Sequence, residues 1–180
     1  MRAVYLDRDG VLNVAVWRGG RRSVPFTADE FHICAGVRDA LPLLKAAGYR
    51  LVVVTNQPDV ARGAVAREQV DAVHSLLQQE LPWLDDIRAC FHDDGDECAC
   101  RKPRPGMLIE DAARNGIRLD ESFMVGDRWK DGEAGHRAGC RTVLIAGDTS
   151  EAEGEPTISP THIAPDLLTA TRWILAAGQT

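Results

Sequence analysis

The sequence contains no run of apolar residues that approaches the roughly 18 needed to span a bilayer. Its first residues, MRAVYLDRDG, lead directly into a strand-like pattern and lack the layout of a signal peptide. Basic residues are in the minority, since 21 Lys and Arg face 27 Asp and Glu and give a net charge of −6. A surplus of negative charge argues against broad binding to nucleic acid or to an anionic membrane. We therefore expect a cytoplasmic protein that binds neither.

Internal repeats and low-complexity segments are also absent. Hydrophobic residues make up 44% of the 180 residues and charged residues 27%, which provides enough apolar material for a continuous core. A chain of this length fits one α/β domain and leaves little room for a second. We expect residues 1–180 to form a single domain that is monomeric.

Short apolar runs alternate with segments of helical spacing, which is typical of a Rossmann-like parallel sheet flanked by helices. The pattern predicts about five strands, at residues 3–6, 51–55, 87–91, 123–125 and 142–145. It predicts helices at residues 37–47, 67–81, 107–115, 130–138 and 165–177. Residues 14–31 and 147–164 show neither periodicity and are predicted to be connections.

Two aspartates, Asp7 and Asp9, directly follow the first predicted strand in the run VYLDRDG. Ligands bind at the carboxyl edge of such a sheet, where both side chains can project. Two neighbouring carboxylates favour a divalent cation between them, and oxygen ligands favour Mg²⁺. Such a carboxylate is a candidate nucleophile, with its neighbour as proton donor. An aspartate-rich turn explains the pair equally simply when it is taken alone.

Three further motifs predict groups at the same edge. Thr55 and Asn56 end the second strand, and their hydroxyl and backbone N–H groups suit a phosphoryl oxygen. Arg101 and Lys102 form a cationic pair before a helix, and Asp127 follows the strand FMVG. Taken singly, the first of these motifs is explained by a strand end and turn, the second by a solvated surface and the third by a helix cap. Together with the first two aspartates they make a complete set for phosphoryl transfer.

Four of the potential metal ligands are close together in a short segment. The pattern C-x-H, five residues, then C-x-C gives three thiols and one imidazole, which suit tetrahedral structural Zn²⁺. A set of free thiols is the alternative. Because the segment directly precedes Arg101 and Lys102, zinc would fix the loop that presents them. The ligands of this predicted zinc-binding loop are Cys90, His92, Cys98 and Cys100.

The order YLDRDGVLN, VVVTNQ, CRKPRPGM and MVGDRWKD resembles the four motifs of the haloacid dehalogenase (HAD) superfamily of aspartate-based phosphohydrolases. The resemblance implies that Asp7 attacks phosphorus and forms an aspartyl-phosphate, while Asp9 protonates the leaving oxygen and then activates water. It also implies that Thr55 and Lys102 bind the phosphoryl oxygens and that Asp7, the Asp9 backbone carbonyl and Asp127 bind Mg²⁺. Asp131 would lie just outside the Mg²⁺ ligands or would orient Lys102.

The zinc-loop pattern with RKPRPGM is similar to the heptose bisphosphate phosphatases, which remove the 7-phosphate of D-glycero-D-manno-heptose 1,7-bisphosphate, and to the related histidinol phosphatases. This likeness implies no large cap domain and a small phosphorylated sugar as substrate. By position, the implied substrate-binding residues are Asn56, Gln57, Arg101 and Arg128. The segment 14–22 departs from the heptose enzymes, because it carries Trp17 and the basic residues Arg18, Arg21 and Arg22. These arginines could hold a remote phosphate or form a solvated basic loop.

Several other functions are compatible with parts of this pattern. Histidinol phosphate is the alternative substrate, and a polynucleotide phosphatase is disfavoured by the net acidity. A phospho-acceptor domain would not need Asp9, and a zinc-organised binding module would not need four intact motifs. The remaining histidines, His32, His74, His136 and His162, have no evident partner in the sequence, so we expect surface or core roles for them.

Overall fold

The computed structural model describes residues 1–146 and 158–178, with Arg21 and Arg22 described by their backbone alone. Strands and helices alternate along most of the chain. In chain order they are β1 (Arg2–Leu6), β2 (Val16–Arg18), β3 (Arg21–Ser23), α1 (Val37–Ala46), β4 (Tyr49–Asn56), α2 (Arg67–Glu80), β5 (Asp86–Cys90), α3 (Gly106–Asn115), β6 (Phe123–Gly126), α4 (Trp129–Ala138), β7 (Arg141–Ile145), β8 (His162–Ala164) and α5 (Leu167–Ala177).

Six of these strands form one parallel sheet in the order β5-β4-β1-β6-β7-β8. The strand β1 is central, with Leu6 opposite Val53 of β4 on one side and Val125 of β6 on the other. This register sets the carboxyl ends of the three strands side by side. The α/β prediction is therefore confirmed.

The two faces of the sheet carry separate apolar cores, because successive residues of a strand point to opposite faces. Val4 and Leu6 join the core that includes buried residues of α1, α2 and α5, whereas Ala3 and Tyr5 join the core that includes buried residues of α3. Fully burying one Leu or Val side chain contributes roughly 1.5–3 kcal/mol. The central strand is thus held from both faces, which gives the residues after it a rigid support.

Three short strands lie where the sequence predicted connections. Within residues 14–31, β2 and β3 form an antiparallel hairpin, and β8 pairs with β7 within residues 147–164. The prediction of about five strands is corrected to six in the main sheet. Each of these extra strands has only three residues, so its own sequence carries no detectable periodicity. The rest of the predicted second connection, residues 147–157, lies outside the described residues.

The hairpin is the insertion between β1 and α1, and within residues 1–146 and 158–178 no larger insertion forms a cap over the sheet. None of the described helices has both the length and the apolar character required to cross a membrane.

Candidate active site

The carboxyl ends of β1, β4 and β6 bring the predicted reacting groups together. Asp7 follows β1, and its backbone N–H donates to the carbonyl of Val125 at 2.9 Å, which continues the pairing with β6. Thr55 lies near the end of β4, and Asp127 follows β6. Asp7 and Thr55 are almost fully buried. These three residues are therefore brought together by strand register.

Lys102 lies between two carboxylates at the base of the site. Its Nζ donates to Asp7 Oδ1 at 2.7 Å and lies 2.5 Å from Asp131 Oδ1. A third bond runs from Nζ to the carbonyl oxygen of Val54 at 2.7 Å. Burial alone would lower the pKa of Lys102, but the carboxylates of Asp131 and Asp7 raise it above its ordinary value. Lys102 is thus a fixed positive charge beside the candidate nucleophile.

Lys102 alone does not compensate the negative charge around the candidate nucleophile, Asp7. Burial raises the pKa of Asp7, Lys102 opposes this, and the carboxylates of Asp131, Asp127 and Asp9 add to the rise, so that the pKa reaches about 7. Carboxylate oxygens of Asp7, Asp127 and Asp131 lie within 4.8 Å of one another. Three clustered carboxylates are the ligand chemistry that Mg²⁺ prefers. The donor set fits the cation that the sequence predicted, with Asp131 as an additional carboxylate in the cluster.

Asp9 is enclosed by hydrogen-bond donors. Arg8 donates from Nε to Oδ2 at 3.0 Å and from Nη2 to Oδ1 at 3.2 Å. Asn13 Nδ2 donates to Oδ1 and Gln57 Nε2 donates to Oδ2, both at 3.0 Å. Gln57 also donates to the hydroxyl of Thr55 at 2.9 Å. These bonds fix the direction in which the Asp9 carboxylate faces and link it to the end of β4.

A pocket of about 520 Å³ opens above these groups. Its lining combines the reacting groups with residues of the hairpin, the segment after β4 and the start of α4. The residues that line it are Asp7, Asp9, Ser23, Val24, Thr55, Asn56, Pro58, Asp59, Arg62, Asp94, Arg101, Lys102, Arg128, Lys130 and Asp131. Charged side chains dominate this wall, as expected for a site that binds a charged ligand.

The basic residues of the pocket differ in their partners. Arg101 donates from Nε to Asp94 Oδ1 at 2.8 Å, and Arg62 forms ion pairs with Asp93 at 2.6 Å and Asp94 at 3.4 Å. These ion pairs connect the segment after β4 with the segment before Arg101. For Arg128 and Lys130, by contrast, the described part of the chain gives no ion pair within 4 Å.

Two glycines allow the backbone approaches on which the site depends. A Cβ at Gly126 would lie 2.1 Å from Asp131 Cβ, so only glycine lets this carboxylate pack against the end of β6. A Cβ at Gly106, the first residue of α3, would lie 2.4 Å from the carbonyl oxygen of Ala99. The glycine of the RKPRPGM motif therefore permits α3 to contact the preceding loop.

The Cys/His loop, residues 90–100, gathers the four predicted zinc ligands. Their Sγ and Nδ1 atoms are separated by 3.2–3.6 Å in the pairs that contact one another. Tetrahedral zinc with Zn–S bonds of about 2.3 Å would set sulfur atoms about 3.8 Å apart. Burial raises the pKa of Cys90, and the hydrogen bond with Cys100 raises it further. Three thiols and one imidazole at these separations nevertheless fit a cation that binds thiolates, and such a cation would offset the raised pKa.

The structure places the other predicted residues more specifically than the sequence could. The side chain of Asn56 pairs with the backbone of Lys102 in both directions, donating to its carbonyl and accepting from its N–H at 3.0 Å. Arg128 donates its backbone N–H to Asp131 Oδ2 at 3.0 Å, at the start of α4. Arg18 pairs with Glu30 and is therefore already engaged.

Residues that the sequence analysis did not single out complete the site. Arg8 and Asn13 hold Asp9, and Arg62, Asp94 and Lys130 line the pocket. Arg8 and Asn13 lie within the first quoted motif, so their proximity to Asp9 was the available signal. The ion pair between Arg62 and Asp94 joins segments that are distant in sequence, so no motif indicated it.

Comparisons with known proteins agree with this geometry. The family model described as HAD-hydrolase-like matches residues 99–170. The D-glycero-β-D-manno-heptose-1,7-bisphosphate 7-phosphatase of Yersinia pestis is 37% identical over 168 residues, covering 85% of each chain. That of Helicobacter pylori strain J99 is 32% identical over 149 residues, covering 80% of this chain and 82% of the relative.

The crystal structure of the D,D-heptose 1,7-bisphosphate phosphatase of B. bronchiseptica, complexed with magnesium and phosphate, superposes with a TM-score of 0.84. Identity is 31%, and the match covers 98% of this chain and 99% of that one. Identity above 30% over most of both chains, together with the same fold, establishes the relationship. The chain therefore belongs to the HAD-like hydrolases, alongside these heptose bisphosphate phosphatases, and is a phosphoric monoester hydrolase.

Proposed function

We propose that this phosphatase releases the 7-phosphate of D-glycero-D-manno-heptose 1,7-bisphosphate through an aspartyl-phosphate intermediate, with the whole chain acting as one hydrolase domain. The observation that carries the chemistry is the arrangement of Asp7 against Lys102 and beside Asp9 at the base of the pocket. One buried carboxylate can attack phosphorus while its neighbour handles the proton.

In the first half of the reaction, a carboxylate oxygen of Asp7 forms a bond to phosphorus as the bond from phosphorus to the sugar oxygen breaks. Asp9 transfers a proton to that departing oxygen. In the second half, Asp9 takes a proton from water, whose oxygen attacks phosphorus and releases phosphate and the Asp7 carboxylate. Lys102 and the Thr55 hydroxyl hold the phosphoryl oxygens. Asp7, the backbone carbonyl of Asp9 and Asp127 would hold Mg²⁺, which would supply positive charge against the phosphoryl group.

The bisphosphate is supported by two cations of the pocket, Arg128 and Lys130, for which residues 1–146 and 158–178 supply no ion pair within 4 Å. Arg128 directly precedes α4 and Lys130 is the second residue of this helix, and both residues line the pocket. A second phosphate would provide an anion for both cations, and a guanidinium binds phosphate with two parallel hydrogen bonds. Histidinol phosphate is a monophosphate and offers this pair no second anion. The same relatives that share the fold are named for a bisphosphate.

Zinc is proposed as a structural ion in the Cys/His loop. The chemistry of the four ligands and their short separations support it. Because the loop ends directly before Arg101 and Lys102, a bound ion would set the positions of both cations without taking part in the reaction. It would also contribute to the stability of the fold.

We also propose a monomer in the cytoplasm. None of the five cysteines, all of which lie in the described part of the chain, forms a disulfide, and thiols persist in a reducing compartment. The exposed large apolar side chains are scattered over separate elements, which is normal for a protein without a permanent partner. Light scattering on the purified protein tests the first statement, and cell fractionation tests the second.

The reaction and its substrate are tested by phosphate release with Mg²⁺. The substrates are both anomers of the heptose 1,7-bisphosphate, histidinol phosphate, simple sugar phosphates and a 3′-phosphorylated oligonucleotide, compared by kcat/KM. Asp7→Asn should abolish turnover, whereas Asp71→Asn, which changes an exposed carboxylate of α2, should not. The double variant with Arg128→Ala and Lys130→Ala should lose activity on the bisphosphate only. Equal kcat/KM for mono- and bisphosphates in the wild type would refute the second-phosphate assignment.

A further inference from the structure

The carboxylate of Asp9 is held from two sides, and Arg8 provides one of them. Each of its two oxygens accepts two described hydrogen bonds, and Arg8 is the donor that reaches both. Such a bidentate contact fixes orientation as well as position. The direction of the Asp9 carboxylate therefore depends on where the Arg8 guanidinium is held.

Arg8 is held in turn by His74. The Arg8 side chain is completely buried, and its Nη1 lies 2.9 Å from His74 Nε2. A guanidinium has only donors, so His74 Nε2 accepts this bond, and the ring hydrogen lies on Nδ1. His74 belongs to α2, 66 residues away in sequence. The helix thereby fixes the Arg8 side chain, which follows the end of β1. His74, for which the sequence showed no evident partner, has Arg8 as its partner.

The charges around His74 favour its neutral form. Burial, Arg8 and Arg67 of the same helix lower the pKa of His74, whereas Asp9 and Asp71 raise it, and the net result is a pKa of about 4. Near neutral pH the ring is thus an acceptor and adds no second positive charge beside Arg8. This is consistent with the short contact between the two side chains.

We propose that His74 is a positioning residue for proton transfer: by accepting from Arg8 it holds the guanidinium on Asp9 and so aims the Asp9 carboxyl at the leaving oxygen. The proposal rests on the function proposed above, in which Asp9 is the proton donor. His74 touches neither substrate nor reacting atoms, so it acts only through Arg8.

This role predicts a dependence on the leaving group. A sugar alkoxide must receive a proton as it departs, whereas p-nitrophenolate leaves readily without one. If His74 is replaced by a residue of similar size that cannot accept, Arg8 loses its anchor and Asp9 is less well aimed. The kcat/KM of the sugar phosphate, which covers the steps up to departure of the leaving group, should then fall much more than that of p-nitrophenyl phosphate. The later attack by water is common to both substrates and does not enter kcat/KM. A variant that merely reduces the folded fraction slows both substrates equally.

The test compares His74→Leu, which removes the acceptor, with His74→Gln, whose amide oxygen can accept from Arg8. Val73→Ala, a buried change on the same helix, serves as the control for destabilisation. For His74→Leu we expect kcat/KM on the bisphosphate to fall at least about tenfold, and kcat/KM on p-nitrophenyl phosphate to fall less than about twofold. His74→Gln should stay within about threefold of wild type on both substrates.

Three results would overturn the proposal. One is an equal loss on both substrates in His74→Leu that matches Val73→Ala at the same folded fraction. Another is the same defect in His74→Gln as in His74→Leu, since a lost acceptor would then not be the cause. The third is a failure of the proposed function itself. The wild-type protein would then release no phosphate from either substrate, or the Asp9→Asn variant would be as active as wild type on the bisphosphate. The first two results leave the proposed function intact, so the two failures are distinguishable.

Discussion

Replacing His74 should change how the stability of the protein depends on pH. In the folded chain the pKa of His74 is lowered from 6.5 to about 4, mainly because the ring is buried and secondly because Arg8 is positively charged. Between these values the unfolded chain binds a proton that the folded chain does not, so this contribution to stability is present above the unfolded pKa and is lost as the pH falls. From about pH 7 to about pH 5 the loss amounts to about 2 kcal/mol.

The measurement is urea unfolding of wild type and His74→Gln at a series of pH values. Other groups also titrate in this range, including Asp7, whose raised pKa acts with the opposite sign. They are common to both proteins and largely cancel in the difference. The free energy of unfolding of wild type minus that of the variant should fall by about 2 kcal/mol between about pH 7 and about pH 5. A constant difference, or one that grows as the pH falls, would refute a neutral His74 beside Arg8.

The remaining predictions concern the backbone and the outer pocket. Gly126→Ala should displace the carboxylate packed against it and lower kcat/KM at least about a hundredfold, whereas Gly132→Ala, with open space around its Cβ, should be close to wild type in activity assays. Gly106→Ala should distort the Cys/His loop, so elemental analysis should find less bound zinc than in Gly132→Ala; equal zinc would contradict it. Asp94→Asn should weaken the hold on Arg101 and raise KM several-fold with kcat little changed, and steady-state kinetics with an unchanged KM would contradict that role.

The main sheet was predictable because its central strands are apolar on both faces. The runs around Val4, Val53 and Val125 are buried between two layers of helices, so their apolar character is a direct consequence of their position. The hairpin and β8 were missed for the opposite reason. Trp17 and Ile163 are exposed, and these three-residue strands exist because a partner strand lies beside them.

The same distinction applies to the active site. Asp7, Thr55 and Asp127 come at the ends of recognisable strands, so the topology of a parallel sheet implies their proximity. The contacts of His74 with Arg8 and of Asp94 with Arg101 depend on the path of loops and on the rotation of a helix. Neither leaves a periodic pattern in the chain, and only coordinates reveal them.

The order of the sheet separates two kinds of evolutionary change. The reacting groups follow the inner strands β1, β4 and β6, which are buried and pack on both sides. Residues at the outer part of the pocket, such as Ser23, Arg62 and Asp94, come from the hairpin and from connecting segments. Connections tolerate insertion and replacement far better than buried strands do. Selectivity for a new phosphate ester can therefore be acquired by exchanging surface segments, including between relatives, while the chemistry at the strand ends is inherited unchanged.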